Sequence, residues 1–360
     1  MQVIAAPTSL GLGPLRSGHE PGCWRAPAAL IAAGLLEALG DPPLEELPRP
    51  RGGQAPVAGT RLRNGPAIRD YTLLLADRVG EAIGRGCFVL VVGGDCSVLL
   101  GALVAARRTG PVALVHVDGH SDFRHPGNCG NAPEPFAVAG MDLALATGRG
   151  EALLVDWPGI APPLVPDALA IQLGEREGRD PDYPWADIHD TAIGRIDVFE
   201  AQALGAAGVL ARIVRRLDAD AAGTGPAAGG AHRSRPRAAG LAAPRPVRTD
   251  AGVVPRELGG RDPAGGGPAA SGLPFWLHLD VDVMDRDLMP AVDCPGTPGL
   301  SPEMLRAILA PLVAHPRCLG MTVTILDPEL DTDGRCAGTI VELLRRLPFR
   351  ADGRDGEESS

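Results

Sequence analysis

The sequence predicts an α/β protein built on a mostly parallel sheet with helices on both faces. Three observations carry this. Short apolar runs, at 87–92, 112–115 and 275–281, alternate with longer stretches of helical spacing. Several runs are apolar throughout rather than every second residue, as expected of strands buried on both sides. Two acidic clusters directly follow two of the runs, at the carboxyl ends of strands, where such sheets hold ligands.

In chain order, 2–6 reads as a first strand, followed by a Gly/Pro-rich loop from Pro7 to Pro27 and a helix over 28–39. The stretch 41–65, rich in Pro, Arg and Gly, reads as surface connection. Over 67–83, Ile68, Leu73, Leu74, Ala76 and Val79 recur with helical spacing. A strand at 87–92 then runs into Gly93-Gly94-Asp95-Cys96-Ser97, and a helix is predicted over 98–108. The paired glycines are expected to let the backbone approach a ligand centre. Beyond the strand at 112–115 come a strand at 168–173, a helix at 198–217 and a strand at 275–281. A helix at 302–314 has Ser301 as its N-cap and Glu303 in its first turn. A strand at 319–325 and a helix at 338–347 complete the pattern.

Two segments fall outside it. From 221 to 272 the chain is mostly Gly, Ala, Pro and Arg, too poor in large apolar residues to offset its chain entropy. It is predicted to be a disordered insertion in a surface loop, which a compact domain tolerates. Residues 351–360 read as a frayed polar tail.

Composition narrows the function classes. The 360 residues, 45% hydrophobic and 22% charged, suit one large α/β domain or two smaller ones. A net charge of −10 gives no support to a nucleic-acid or anionic-membrane role. All 34 basic residues are Arg, which reads as coding bias. The seven cysteines are widely spaced with no C-x-x-C, and neither a signal-type segment nor a membrane-length apolar run is present. A reduced, soluble, cytoplasmic protein is expected.

The chemistry concentrates in Asp118-Gly119-His120-Ser121-Asp122 and in Asp280-Val281-Asp282. Alternate residues of an extended chain point one way, so Asp118, His120 and Asp122 converge if strand geometry persists through the motif. Five such groups at two strand ends gather more negative charge than a fold holds without a cation. A metal site, binuclear by ligand count, is the expectation. His116 and His278 stand on the same strand faces one step deeper, and read as core or supporting histidines.

In order, Gly94-Asp95-Cys96, Asp118-Gly119-His120-Ser121-Asp122, His278-Leu279-Asp280-Val281-Asp282-Val283-Met284-Asp285 and Asp327-Pro328-Glu329-Leu330-Asp331 resemble the arginase/agmatinase (ureohydrolase) family over nearly the whole chain outside the insertion. The resemblance implies a single domain over 1–350 with an α/β/α sandwich, two Mn²⁺ ions, and hydroxide held between them that attacks a guanidinium carbon. Asp118 and Asp280 would bridge the metals, Asp122 would complete one shell, and His120 with Asp282 the other. Asp122 would also take the proton. A guanidino or amidine-type small-molecule substrate and a homo-oligomer, trimer or hexamer, are implied.

Three departures stand against the pattern. Cys96 replaces a family histidine ligand, and is either a ligand that would favour Zn²⁺ or Fe²⁺, or a buried thiol. The proton-shuttle histidine is missing whether Gly130 or Ala139 is set in its place; nearby His125 is the candidate substitute, against the plainer reading of a loop histidine. Ile325 occupies the position of the guanidinium-clamping Glu, with Asp327 or Glu329 as possible stand-ins. These gaps leave an alternative: a catalytically silent, metal-binding member with a regulatory or scaffolding role.

Overall fold

A computed structural model describes residues 1–14, 16, 18–53, 57–130, 135–219 and 272–349. The insertion expected at 221–272 lies, but for Gly272, outside the described residues, as does the tail at 351–360.

Eight strands form one sheet: β1 Gln2–Ala6, β2 Leu44–Glu46, β3 Val89–Gly93, β4 Ala113–Val117, β5 Ala170–Leu173, β6 Gly194–Ile196, β7 Phe275–Asp280 and β8 Cys318–Thr324. Their order is β2-β1-β3-β8-β7-β4-β5-β6, and every neighbouring pair is parallel. The helices are α1 Ala26–Ala32, α2 Leu35–Ala38, α3 Gly65–Gly84, α4 Val98–Arg107, α5 Asp142–Ala146, α6 Ala152–Val155, α7 Val198–Ala219, α8 Pro302–Val313 and α9 Arg335–Arg345.

The pleat sorts the core into two layers. Ala113, Val115 and Val117 of β4 and Phe275, Leu277 and Leu279 of β7 pack with α1, α2, α7, α8 and α9. Leu114 and Trp276 face the other way, onto α3 to α6. The three-layer α/β/α sandwich is therefore present, with strands buried on both faces.

Two short edge strands, β2 and β6, escaped the sequence reading because neither Leu44-Glu45-Glu46 nor Gly194-Arg195-Ile196 makes an apolar run. The helix expected over 28–39 is broken between α1 and α2, where Gly34 adopts φ +90°. Ser301 caps α8 as expected, its Oγ accepting from the Met304 amide at 3.2 Å. Gly94 serves packing rather than a ligand: a Cβ there would stand 1.7 Å from the Thr8 carbonyl oxygen. The loop after β3 thus lies flush against the one after β1.

Candidate metal centre

β4 and β7 are adjacent central strands, and their ends bring the two acidic motifs together. The convergence does not use persistent strand geometry. β4 stops at Val117, and Asp118 Oδ1 accepts from the His120 amide at 2.6 Å, turning the chain. Asp122 lies at φ +48°, an αL conformation that Asp tolerates. In the second motif Asp280 ends β7 and its Oδ1 accepts from the Asp282 amide at 2.8 Å, opening a 3₁₀ turn at Val281–Val283. In both motifs the first carboxylate caps the amide two residues on, an Asx-type turn that aims the next ligand back at the same point.

The loops are locked from beside. Gln172 of β5, fully buried, donates to the Asp118 carbonyl at 3.1 Å and the His120 carbonyl at 2.9 Å. The Gly119 amide donates to Asp282 Oδ1 at 3.1 Å, and Arg176 donates to the Asp282 carbonyl. Asp285 holds the following loop, accepting from Thr297 Oγ1 at 2.8 Å and the Gly299 amide at 3.1 Å.

His120 Nδ1 stands 2.9 Å from Asp282 Oδ2 and 3.7 Å from Asp118 Oδ1, so Asp118, His120 and Asp282 form one ligand-like group. Cys96, Asp118, His278 and Asp280 form a second, all buried. Burial, reinforced by the Asp282 carboxylate, pushes Asp118 up to about 7 and Asp280 well above the usual carboxylate range. Burial together with Asp118 does the same to Asp122. Burial opposes charge on His120, but Asp282 outweighs it and raises the ring to about 10. Burial with the Asp280 charge drives the Cys96 thiol up, and its Sγ donates to Asp280 Oδ2 at 2.9 Å. Burial and mutual charge thus favour protonated carboxyls in this cluster, charge that a divalent cation would relieve.

A cavity of about 260 Å³ opens over the cluster, its floor Cys96, His120, Asp122, Asp280 and Asp282. Glu177 and Asp293 add carboxylates to the wall, and burial with the Asp282 charge raises Asp293 to about 6. Arg124 and Trp185 also line it, the guanidinium 5.8 Å from the indole centroid. So do Ile325, set at the clamp position, and Ala139, one of the two residues set in the shuttle's place. Ile325 has φ +79°, a strained conformation for a β-branched residue, and is held by its amide to the Gly94 carbonyl at 2.7 Å.

His125 is not brought to the cluster. Its Nε2 meets Asp187 Oδ2 at 2.8 Å and its Nδ1 accepts from the Gly127 amide at 3.1 Å, which commits both ring nitrogens to its own loop. Asp327 and Glu329 do not stand in for the clamp. Asp327 accepts from the amides of Gly22 and Glu329, both at 2.9 Å, and Glu329 pairs with Arg25 and with His19 at 2.9 Å. Sequence reasoning missed Asp142, Glu177 and Asp293, whose spacings carry no ligand pattern. Gln172 was visible in principle, as an amide inside an otherwise apolar strand.

Parallel strands that deliver carboxylates and an imidazole to one buried point beneath a cavity define a metal-site protein of the α/β/α class. Residues 1–224 and 268–348 match the arginase family, and the chain belongs to it. It is 28% identical to the arginase of Bacillus caldovelox over 182 residues, 48% of this chain and 56% of that protein. It is 31% identical to human arginase-1 over 152 residues, 38% of this chain and 44% of that one. These alignments span about half the length of the relatives. In fold, the Bacillus subtilis arginase superposes with TM-score 0.70 at 21% identity, covering 98% of each chain. The proclavaminate amidino hydrolase of Streptomyces clavuligerus gives 0.59 at 17% identity, covering 96% and 89%. Among the described residues no helix is long and apolar enough to cross a membrane.

Proposed function

We propose that this protein is a metal-dependent hydrolase that cleaves a C–N bond of a guanidino or amidine-type small molecule. The observation that carries the proposal is the convergence of Asp118, His120, Asp122, Asp280 and Asp282 beneath one cavity. The residues fit a divalent pair: Asp118 is buried, and its Oδ2 has no hydrogen-bond partner among the described residues. Asp118, His120, Asp122, Asp280 and Asp282 would hold the two ions. Carboxylate-rich ligation suits Mn²⁺. When bound, such a pair supplies an activated water and polarises the group under attack.

The chain's own side chains supply the rest. Asp293 and Glu177 draw a cationic guanidinium or amidinium against the wall, in place of the clamp lost at Ile325. Asp122, facing the cavity, takes the proton released by the attacking water. Trp185 and Arg124 close one side and limit water entry. His125 has no part in this reading.

One observation favours a second reading. Ile325 at the clamp position and Ala139, one of the two residues set in the shuttle's place, are both apolar and line the same cavity, as a silent metal-binding member would permit. Elemental analysis, with urea and ammonia release from guanidino acids, guanidino amines and amidines, separates the two. Two ions per chain with turnover supports the hydrolase, and Asp293→Asn should then raise KM about tenfold with kcat little changed. Two ions without turnover anywhere in the panel would leave the silent member standing.

A further inference from the structure

A polar row crosses the middle of this apolar sheet. Gln172 of β5, His116 of β4, His278 of β7 and Thr322 of β8 are paired in register, and all four are fully buried. Such a row costs stability unless each polar atom is satisfied.

Three of the unsatisfied atoms belong to His278, Asp142 and Asp118. Thr322 Oγ1 lies 2.8 Å from His278 Nδ1 and 3.4 Å from the Leu277 carbonyl oxygen, to which it donates when it accepts from the ring. With the His278 proton on Nδ1, shared with Thr322, Nε2 presents a lone pair. That lone pair faces another acceptor, Asp142 Oδ2, at 3.5 Å. His278 Nε2, Asp142 Oδ2 and Asp118 Oδ2 are all buried without a hydrogen-bond partner among the described residues. Acceptors turned on one another in a dry interior are satisfied only by a proton or a cation between or beside them, and a divalent ion would serve all of them at once.

We propose that His278 Nε2 is an imidazole ligand of the metal ion nearest Cys96, with Asp118 and Asp280, and that Cys96 is not a ligand. The assignment rests on the binuclear reading given above. Ligand atoms of His278, Asp118 and Asp280 lie within 4.8 Å of one another, and a tetrahedral site with ~2.1 Å bonds has edges of about 3.4 Å, so small side-chain movements close the shell. His278 thereby replaces the nitrogen ligand that Cys96 removes. Cys96 keeps its proton on the bond to Asp280 Oδ2 and orients that carboxylate. His116 and Asp142 are positioning residues: the two imidazoles stack at 4.9 Å, and His116 Nε2 binds Asp142 Oδ1 at 3.0 Å. A nitrogen and two carboxylates select a borderline-to-hard divalent ion over a thiophilic one.

The test is metal content, with the absorption and proton NMR spectra of the Co²⁺-loaded full chain, for wild type, Cys96→Ser, His278→Ala and His278→Gln. Wild type and Cys96→Ser should each hold two ions with no thiolate-to-cobalt charge-transfer band. The two His278 variants should hold one. In wild type, two paramagnetically shifted imidazole N–H signals are expected, from His120 and His278, and this readout needs no substitution in the core. A thiolate band in wild type, one shifted imidazole signal, or two ions in folded His278 variants would each overturn the assignment while leaving the binuclear reading intact. Fewer than two ions in loaded wild type would overturn both.

Discussion

Asp118 shows at the scale of one residue what the site costs. Its Oδ1 holds the His120 amide, while Oδ2 is buried without a donor among the described residues. In the metal-free protein that oxygen is a liability, because a buried unsatisfied group costs about 1–3 kcal/mol. Asp118→Asn keeps the turn-forming acceptor and removes the charge. The metal-free variant is expected to be more stable than wild type at pH 8 by about 1–3 kcal/mol, measured by urea unfolding. It should lose metal affinity by more than the roughly 100-fold typical of an outer partner. A variant less stable than wild type and still fully loaded would show that Asp118 is structural.

At the scale of elements, the site depends on how closely loops approach one another. The loop after β3 carries Cys96 and reaches the cluster because Gly94 packs on the Thr8 carbonyl. Gly94→Ala would force these backbones apart, at a cost of about 3 kcal/mol or more. Urea unfolding with and without added metal would check it; a change below about 1 kcal/mol would mean the loop yields freely. The sequence marked this loop by its paired glycines but not their purpose, since a glycine signals close approach without naming the partner. The helix and strand spans fared better. β1 is legible residue for residue, because four buried apolar residues directly after Gln2 leave little choice. The edge strands β2 and β6 were not legible: three residues paired along one side carry no periodicity of their own.

For the whole molecule, the cluster couples metal binding to stability. Asp118 stands at about 7 in the folded chain, against roughly 3.9 when unfolded. The folded metal-free protein therefore holds this proton more tightly than the unfolded chain does. The resulting stabilisation is full below about pH 4 and is lost as pH rises through about 7. His120, raised to about 10, acts in the same direction at higher pH. Asp282 is lowered, burial being outweighed by His120, and its contribution is lost only at acid pH, outside this window. Chelator-treated protein should accordingly melt lower at pH 8 than at pH 5. Loaded with Mn²⁺ it should melt higher at pH 8, since cations displace these protons and stabilise by about 2.7 kcal/mol at a hundredfold excess over Kd. Parallel pH profiles with and without metal would contradict the coupling.

By itself the sequence determined the sheet class, the helical order and the two acidic motifs, because each is written in local periodicity and in residue types with few alternative uses. What only the tertiary structure decided is which groups meet. Asp142 reaches His116 and His278 from α5, and Asp293 reaches the cavity from the loop after β7. Ile325 fills a place where a carboxylate was sought, and His125 is spent on Asp187. Each of these pairings joins segments distant in sequence or set by a turn, and no local pattern encodes where two such segments touch. The position of every proton or cation in the cluster follows from those contacts.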